Sequence, residues 1–134
     1  MSIEFSGIMP ALSALKGWFA TGRRPDAGYQ EALEALYTAL NETRIYIGLL
    51  DRSKFGLDQG EDLTAPRRSI ETEARLSQLW THASLKLRQV DRDLAERCFD
   101  KGDYWAHPDE WTEDDVKRAR IQIDSVFRAA RRLL

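Results

Sequence analysis

A single cysteine, Cys98, and two histidines, His82 and His107, are the whole stock of thiol and imidazole groups in the chain of 134 residues. One cysteine forms no internal disulfide, which fits a reducing compartment, and the two histidines lie too far apart to set ligands on adjacent helical turns. No metal and no cofactor are expected. The eight glycines never fall as Gly-x-Gly, and none precedes a Lys-Ser or Lys-Thr pair. The backbone loops that wrap phosphate in dinucleotide and P-loop sites are therefore missing. A Gly-x-Ser-x-Gly elbow and a His-Glu-x-x-His pair are missing too, which removes the compact hydrolase and zinc-protease patterns. No apolar run approaches the roughly 18 residues of a membrane helix. The opening from Met1 to Gly7 has neither the basic nor the apolar region of a secretion signal, so a cytoplasmic location is expected. Excess charge of one sign is absent as well: 20 Lys and Arg against 22 Asp and Glu give a net charge of −2. Without a bulk positive field, binding to nucleic acid or to an anionic membrane surface is not expected.

What the chain does have is apolar material, 43% of its residues, beside 31% charged ones. That composition and length suit one globular domain, 1–134, with a core of its own. Four segments carry a helical period. Pro10 to Ala20 places Leu12, Leu15 and Phe19 on one stripe and stops at Gly22. Asp26 to Leu50 repeats Leu33, Leu36 with Tyr37, Leu40, Ile47 and Leu50. Pro66 to Lys101, with Thr64 as cap and Gly102 as stop, carries Leu76, Trp80, Ala83, Leu87, Val90, Leu94 and Cys98. Glu113 to Leu134, capped by Thr112, steps through Val116, Ala119, Ile123, Val126, Ala130 and Leu133. No stretch alternates with period two, so the fold class is all-α: an antiparallel up-down four-helix bundle with one short and one long helix.

The lengths conflict. At 1.5 Å per residue the third segment would run about 50 Å and the first only about 15–20 Å. The polar start of the third segment, Arg67 to Arg75, either projects past the core or breaks near Ser69. Beside the short first helix, either an apolar groove stays open for a partner, or Ile3, Phe5, Ile8 and Met9 fold back and seal it.

Three constellations bear on function. Arg75 and His82 form an Arg-x6-His spacing that brings both side chains to nearly one helix face, two turns apart. This resembles the Arg-x4–6-His signature of HEPN-type ribonucleases, which are all-helical and often dimeric. The resemblance implies His82 as acid/base and Arg75 as the stabiliser of phosphate charge; Leu76 stands where that family usually has a polar residue. Arg44 interrupts the apolar stripe of the second segment. It requires either a protein partner, with Asp91, Glu42 or Asn41 as candidates, or an anionic small ligand held between helices. The segment Tyr104-Trp105-Ala106-His107-Pro108-Asp109-Glu110-Trp111 joins the last two helices. Its Tyr104, Trp105 and Trp111 either plug the end of the bundle or stand exposed as anchors for another protein. The basic end of the last helix, with Arg128, Arg131 and Arg132, matches the helix dipole without a ligand.

With the compact catalytic patterns missing, the sequence reads as a non-enzymatic protein–protein interaction module. It is an adaptor, regulatory or immunity-type bundle that binds a protein partner and self-associates as a homodimer. A dimeric HEPN-like ribonuclease and an anionic-ligand sensor centred on Arg44 are the alternatives.

Overall fold

Asp91 ends what the apolar period reads as one long helix. In the computed structural model, which describes Phe5 and residues 8–10, 12–13, 27–53, 68–108 and 112–132, four long helices follow in order. They are α1 (Ala27–Ser53), α2 (Ile70–Leu87), α3 (Arg92–Ala106) and α4 (Glu113–Arg131). The fold is all-helical, and no strand occurs among the described residues. None of its helices is long and apolar enough to cross a membrane, among the described residues.

The expected helix from Pro66 to Lys101 is two helices. After Leu87 the chain turns, the N–H groups of Val90 and Asp91 both donating to the Leu87 carbonyl at 2.9 and 2.8 Å. Asp91 then adopts an extended backbone, φ −154° and ψ 111°, and its carboxylate accepts the N–H of Leu94 at 3.0 Å. An aspartate that satisfies an orphan N–H at a helix start competes with continuation of the preceding helix. The period hid the break because Leu87, Val90 and Leu94 keep a three–four spacing straight across the turn. Gly102, expected as a stop, lies inside α3, which ends at Ala106. There the His107 N–H donates to the carbonyls of Asp103 and Tyr104. With the rod divided, α2 and α3 are about 27 and 22 Å long in place of one rod of about 50 Å.

The polar start of the expected helix breaks at Ser69, the N-cap of α2, whose hydroxyl accepts the Thr72 N–H at 3.2 Å. Thr112 caps α4 as the sequence indicates. The Thr112 hydroxyl accepts from the Asp115 N–H at 3.2 Å, and the Asp115 carboxylate accepts from the Thr112 N–H at 2.9 Å. That backbone hydrogen bond holds the Asp115 carboxyl below its ordinary range. The expected cap Thr64 and the greater part of the expected first helix, 14–20, lie outside the described residues.

Helix α1 is the centre of the packing, with α2 on one side and α4 on the other, and α3 folds back against α2. Across α1 and α2 the residue pairing runs antiparallel. Glu31 meets Lys86 and Tyr46 meets Glu73 across α1 and α2, while Ser77 meets Gly102 across α2 and α3. Between α3 and α4, which do not pack directly, lies the N-terminal segment. Phe5 donates its N–H to Gln122 of α4 at 3.1 Å, its ring lies 6.3 Å from that of Trp80 of α2, and Lys101 of α3 sits 4.9 Å above it. Phe5, Ile8 and Leu12 are buried, with Met9 packed against them. Phe5, Ile8 and Met9 of the segment expected to fold back thus lie against the core, while Ile3 and most of the short first helix lie outside the described residues.

The core runs from Tyr29 and Leu33 through Leu36, Leu40 and Ile47 of α1 to Leu76, Trp80 and Leu87 of α2, Leu94 and Cys98 of α3, and Val116, Ile123 and Val126 of α4. A polar seam at its centre is closed: the indole N–H of Trp80 donates to the Thr43 hydroxyl at 2.9 Å, and that hydroxyl donates to the Ala39 carbonyl at 2.7 Å. Buried polar groups that find partners in this way avoid a desolvation cost of about 1–3 kcal/mol each.

Candidate functional site

Helices α2 and α3 cross closely because Gly102 has no side chain. A Cβ there would stand 2.5 Å from the Thr81 hydroxyl and 3.1 Å from the Ser77 carbonyl, and Ser77 donates its hydroxyl proton to the Gly102 carbonyl at 2.7 Å. Toward the turn the two helices present an outer cleft of about 470 Å³, open to solvent. Its floor is small, buried Ser84 and Ala95; its walls are Leu85 and Phe99, 57% and 55% exposed. Charge is ordered along the cleft. Arg88 and Arg92 flank the turn, and Glu96 and Asp100 follow one and two turns further along α3.

A second cleft of about 290 Å³ lies between α1 and α4, lined by Arg44, Ile45, Gly48, Leu49, Arg120 and Asp124. Ile45 and Leu49 are 51% and 56% exposed. Arg44 is half-buried at its edge. It donates from Nη2 to the Asn41 side-chain oxygen at 2.9 Å and lies 4.1 Å above the Phe127 ring, while its Nε is buried without a hydrogen-bond partner. Asn41 is thus the local partner. Asp91, the candidate from the next segment, is engaged as the cap of α3, and Glu42 is engaged elsewhere. Stacking on an aromatic face replaces part of the solvation that a guanidinium loses on burial.

Glu42 holds Arg75. Two charge-assisted hydrogen bonds, from Nε at 3.1 Å and Nη2 at 3.0 Å, join them across α1 and α2. The hydrogen bond from Arg75 brings the Glu42 carboxyl below its usual range. His82 is exposed on the same helix. The pair therefore shares a helix and solvent access, and the cation is already engaged by a carboxylate.

Trp105 is 1% exposed, in the last turn of α3 rather than in a loop. Its ring stands edge-on to Tyr46 at 5.9 Å and to half-buried Tyr104 at 5.5 Å. The anchor reading of Trp105 is corrected by this burial: the side chain is part of the core at that end of the bundle. Trp111 lies outside the described residues.

Beneath Trp105 is a cluster that the sequence reading missed. Glu73, 5% exposed, accepts the Tyr46 hydroxyl proton and both donors of the Arg68 fork, Nε at 2.8 Å and Nη2 at 2.7 Å. The Tyr46 oxygen in turn accepts the Ser69 N–H at 2.9 Å. Burial first, and the hydrogen bond to Glu73 second, push the Tyr46 phenol well above its ordinary value. The available signal was the position of Glu73, one turn before Leu76 on the buried stripe. Burial likewise pushes the Cys98 thiol up to about 12, which leaves it without thiolate character. Among the described residues no three His, Cys, Asp or Glu side chains gather where they would hold a metal ion. No family model, no curated protein and no solved structure matches the chain.

Proposed function

We propose that the chain is a single helical-bundle domain of the cytoplasm that binds protein, a second copy of itself included, and performs no catalysis of its own. The observation that carries this reading is the apolar surface beside the two clefts. Leu85 and Phe99 on α2 and α3, and Ile45 and Leu49 on α1, are each more than half exposed, while the Thr43–Trp80 polar seam of the core is paired. Exposed Leu, Ile and Phe that line concave surfaces gain most from a partner that removes them from water, at roughly 25 cal/mol per Å². The antiparallel up-down course supplies rigid faces for that purpose, and an interaction role asks nothing of Arg75 or His82. Light-scattering mass of the purified chain across a concentration series tests self-association, and mass doubling is expected. A concentration-independent monomer counts against it, and RNA cleavage that vanishes with His82→Ala would replace it with the ribonuclease reading.

Arg44 favours one second reading, an anionic small ligand in the α1/α4 cleft, since its contacts are an amide and a ring rather than a carboxylate. Titration with short-chain carboxylates, with Arg44→Gln as the control, tests it; no heat of binding removes it.

A further inference from the structure

Resting on the self-association reading, we infer that the α2/α3 cleft is the dimer interface, occupied by the same cleft of a second copy related by a two-fold axis. An isologous interface must be complementary to itself, so that what stands at one end of the patch meets what stands at the other. This cleft meets that condition in its charges. Arg88 and Arg92 lie at the turn end, and Glu96 and Asp100 lie beyond them on α3, the last about 12 Å from Arg92 along the helix axis. Laid antiparallel on a second copy, the arginine end of each cleft faces the carboxylate end of the other, giving two sets of opposite-charge contacts. Laid parallel, like faces like.

The apolar parts obey the same symmetry. Leu85 and Phe99 stand on opposite walls, and the floor of Ser84 and Ala95 is shallow in side-chain volume. In the antiparallel arrangement Phe99 of each copy packs over the floor of the other, an aromatic anchor in a small-residue seat, and the ion pairs form the rim. Rim charges set orientation and partner choice more than affinity, so they are the right handle for a test.

Two double variants make that test. Arg88→Glu with Arg92→Glu gives a cleft acidic throughout, and Glu96→Arg with Asp100→Arg gives one basic throughout. All four positions line the solvent-open cleft, and far-ultraviolet circular dichroism checks that both proteins keep their helices. Each double variant alone is expected to dimerise about a hundredfold more weakly than the unmodified chain, because like charges then meet at both ends. Mixed in equal amounts, the two are expected to form a heterodimer of twice the monomer mass by sedimentation equilibrium, with Phe99→Ser in both abolishing it. A dimeric unmodified chain whose charge variants remain dimeric alone, or a mixture that stays monomeric, overturns the cleft as the interface and leaves self-association standing. An unmodified chain that is monomeric throughout overturns both.

Discussion

Arg68 and Glu73 form a two-pronged ion pair, 2.7 and 2.8 Å, across the first turn of α2, and the carboxylate side chain is only 7% exposed against 23% for the guanidinium. Because Tyr46 of α1 donates to the same carboxylate and accepts from Ser69, the pair ties the N-terminal turn of α2 to the central helix. Breaking a buried pair by neutralising one member leaves the other charge under-solvated, a loss of about 3–5 kcal/mol when both are fully buried. Arg68 retains some solvent, so Glu73→Gln is expected to cost about 2 kcal/mol. Urea unfolding is the check: the midpoint should fall with the slope unchanged, and a midpoint equal to that of the unmodified protein would show the pair to be energetically idle.

The phenols of Tyr46 and Tyr29 give the molecule a limit on the alkaline side. Burial raises Tyr29 to about 12, and burial with the Glu73 hydrogen bond carries Tyr46 above its ordinary value as well. A phenol whose folded pKa exceeds its unfolded value of 10 contributes stability in full below pH 10. It loses that contribution as pH rises toward the folded pKa, since the unfolded chain then binds fewer protons than the folded one. The melting temperature is expected to fall above pH 10, with absorbance of ionised tyrosine rising in step with unfolding. Tyr29→Phe should flatten that fall; an unchanged slope would show that Tyr29 ionises without unfolding.

Two helical glycines have opposite expectations. At Gly102 a methyl group meets the Thr81 hydroxyl and the α2 backbone, and at Gly48 it meets nothing within 4 Å. Gly102→Ala must push α2 and α3 apart or turn Thr81 aside, and is expected to destabilise by about 1–3 kcal/mol. Gly48→Ala is expected to stabilise by about 0.5–1 kcal/mol through lower backbone entropy in the unfolded chain. Thermal unfolding of the two single variants checks both signs. If Gly102→Ala melts as high as the unmodified protein, the close approach of the helices is not required.

The helical class and most of the buried stripe were legible because they depend on period alone: Leu33, Leu36 and Leu40 in α1, and Val116, Ala119 and Ile123 in α4, are buried at the positions that the spacing gives. Where the reading failed, a local competitor had the same period as the helix. Asp91 could be read as a helix-border residue or as a cap, and the apolar spacing across 87–94 agreed with either. Gly102 could be read as a stop, because closeness to another helix is a tertiary property that one chain segment does not display. Trp105 has the same origin: extending α3 to Ala106 converts an apparent loop aromatic into a core one. Glu73 was hidden by its charge, since a carboxylate on an apolar stripe is buried only when Arg68 and Tyr46, five residues and a helix away, converge on it. Of the two clefts, the one beside Arg44 was signalled by the break in the stripe. The α2/α3 cleft was not, because it exists only once the long helix has folded back on itself.

Trp105 separates stability from association. Its side chain is buried against Tyr46 and Tyr104 in the last turn of α3, whereas Leu85 and Phe99 line the exposed cleft. Removing a buried indole costs about 3–5 kcal/mol in lost burial and residual cavity, so Trp105→Ala is expected to lower the free energy of unfolding by that amount. Below its melting temperature the folded variant should dimerise with the dissociation constant of the unmodified chain, whereas Phe99→Ser should do the reverse, weakening the dimer while leaving the monomer's stability within about 0.5 kcal/mol. Sedimentation and urea unfolding on both variants provide the crossed comparison. A Trp105→Ala protein that stays as stable as the original and loses its dimer would place the contact surface at the Trp105 end of the bundle instead of the turn end.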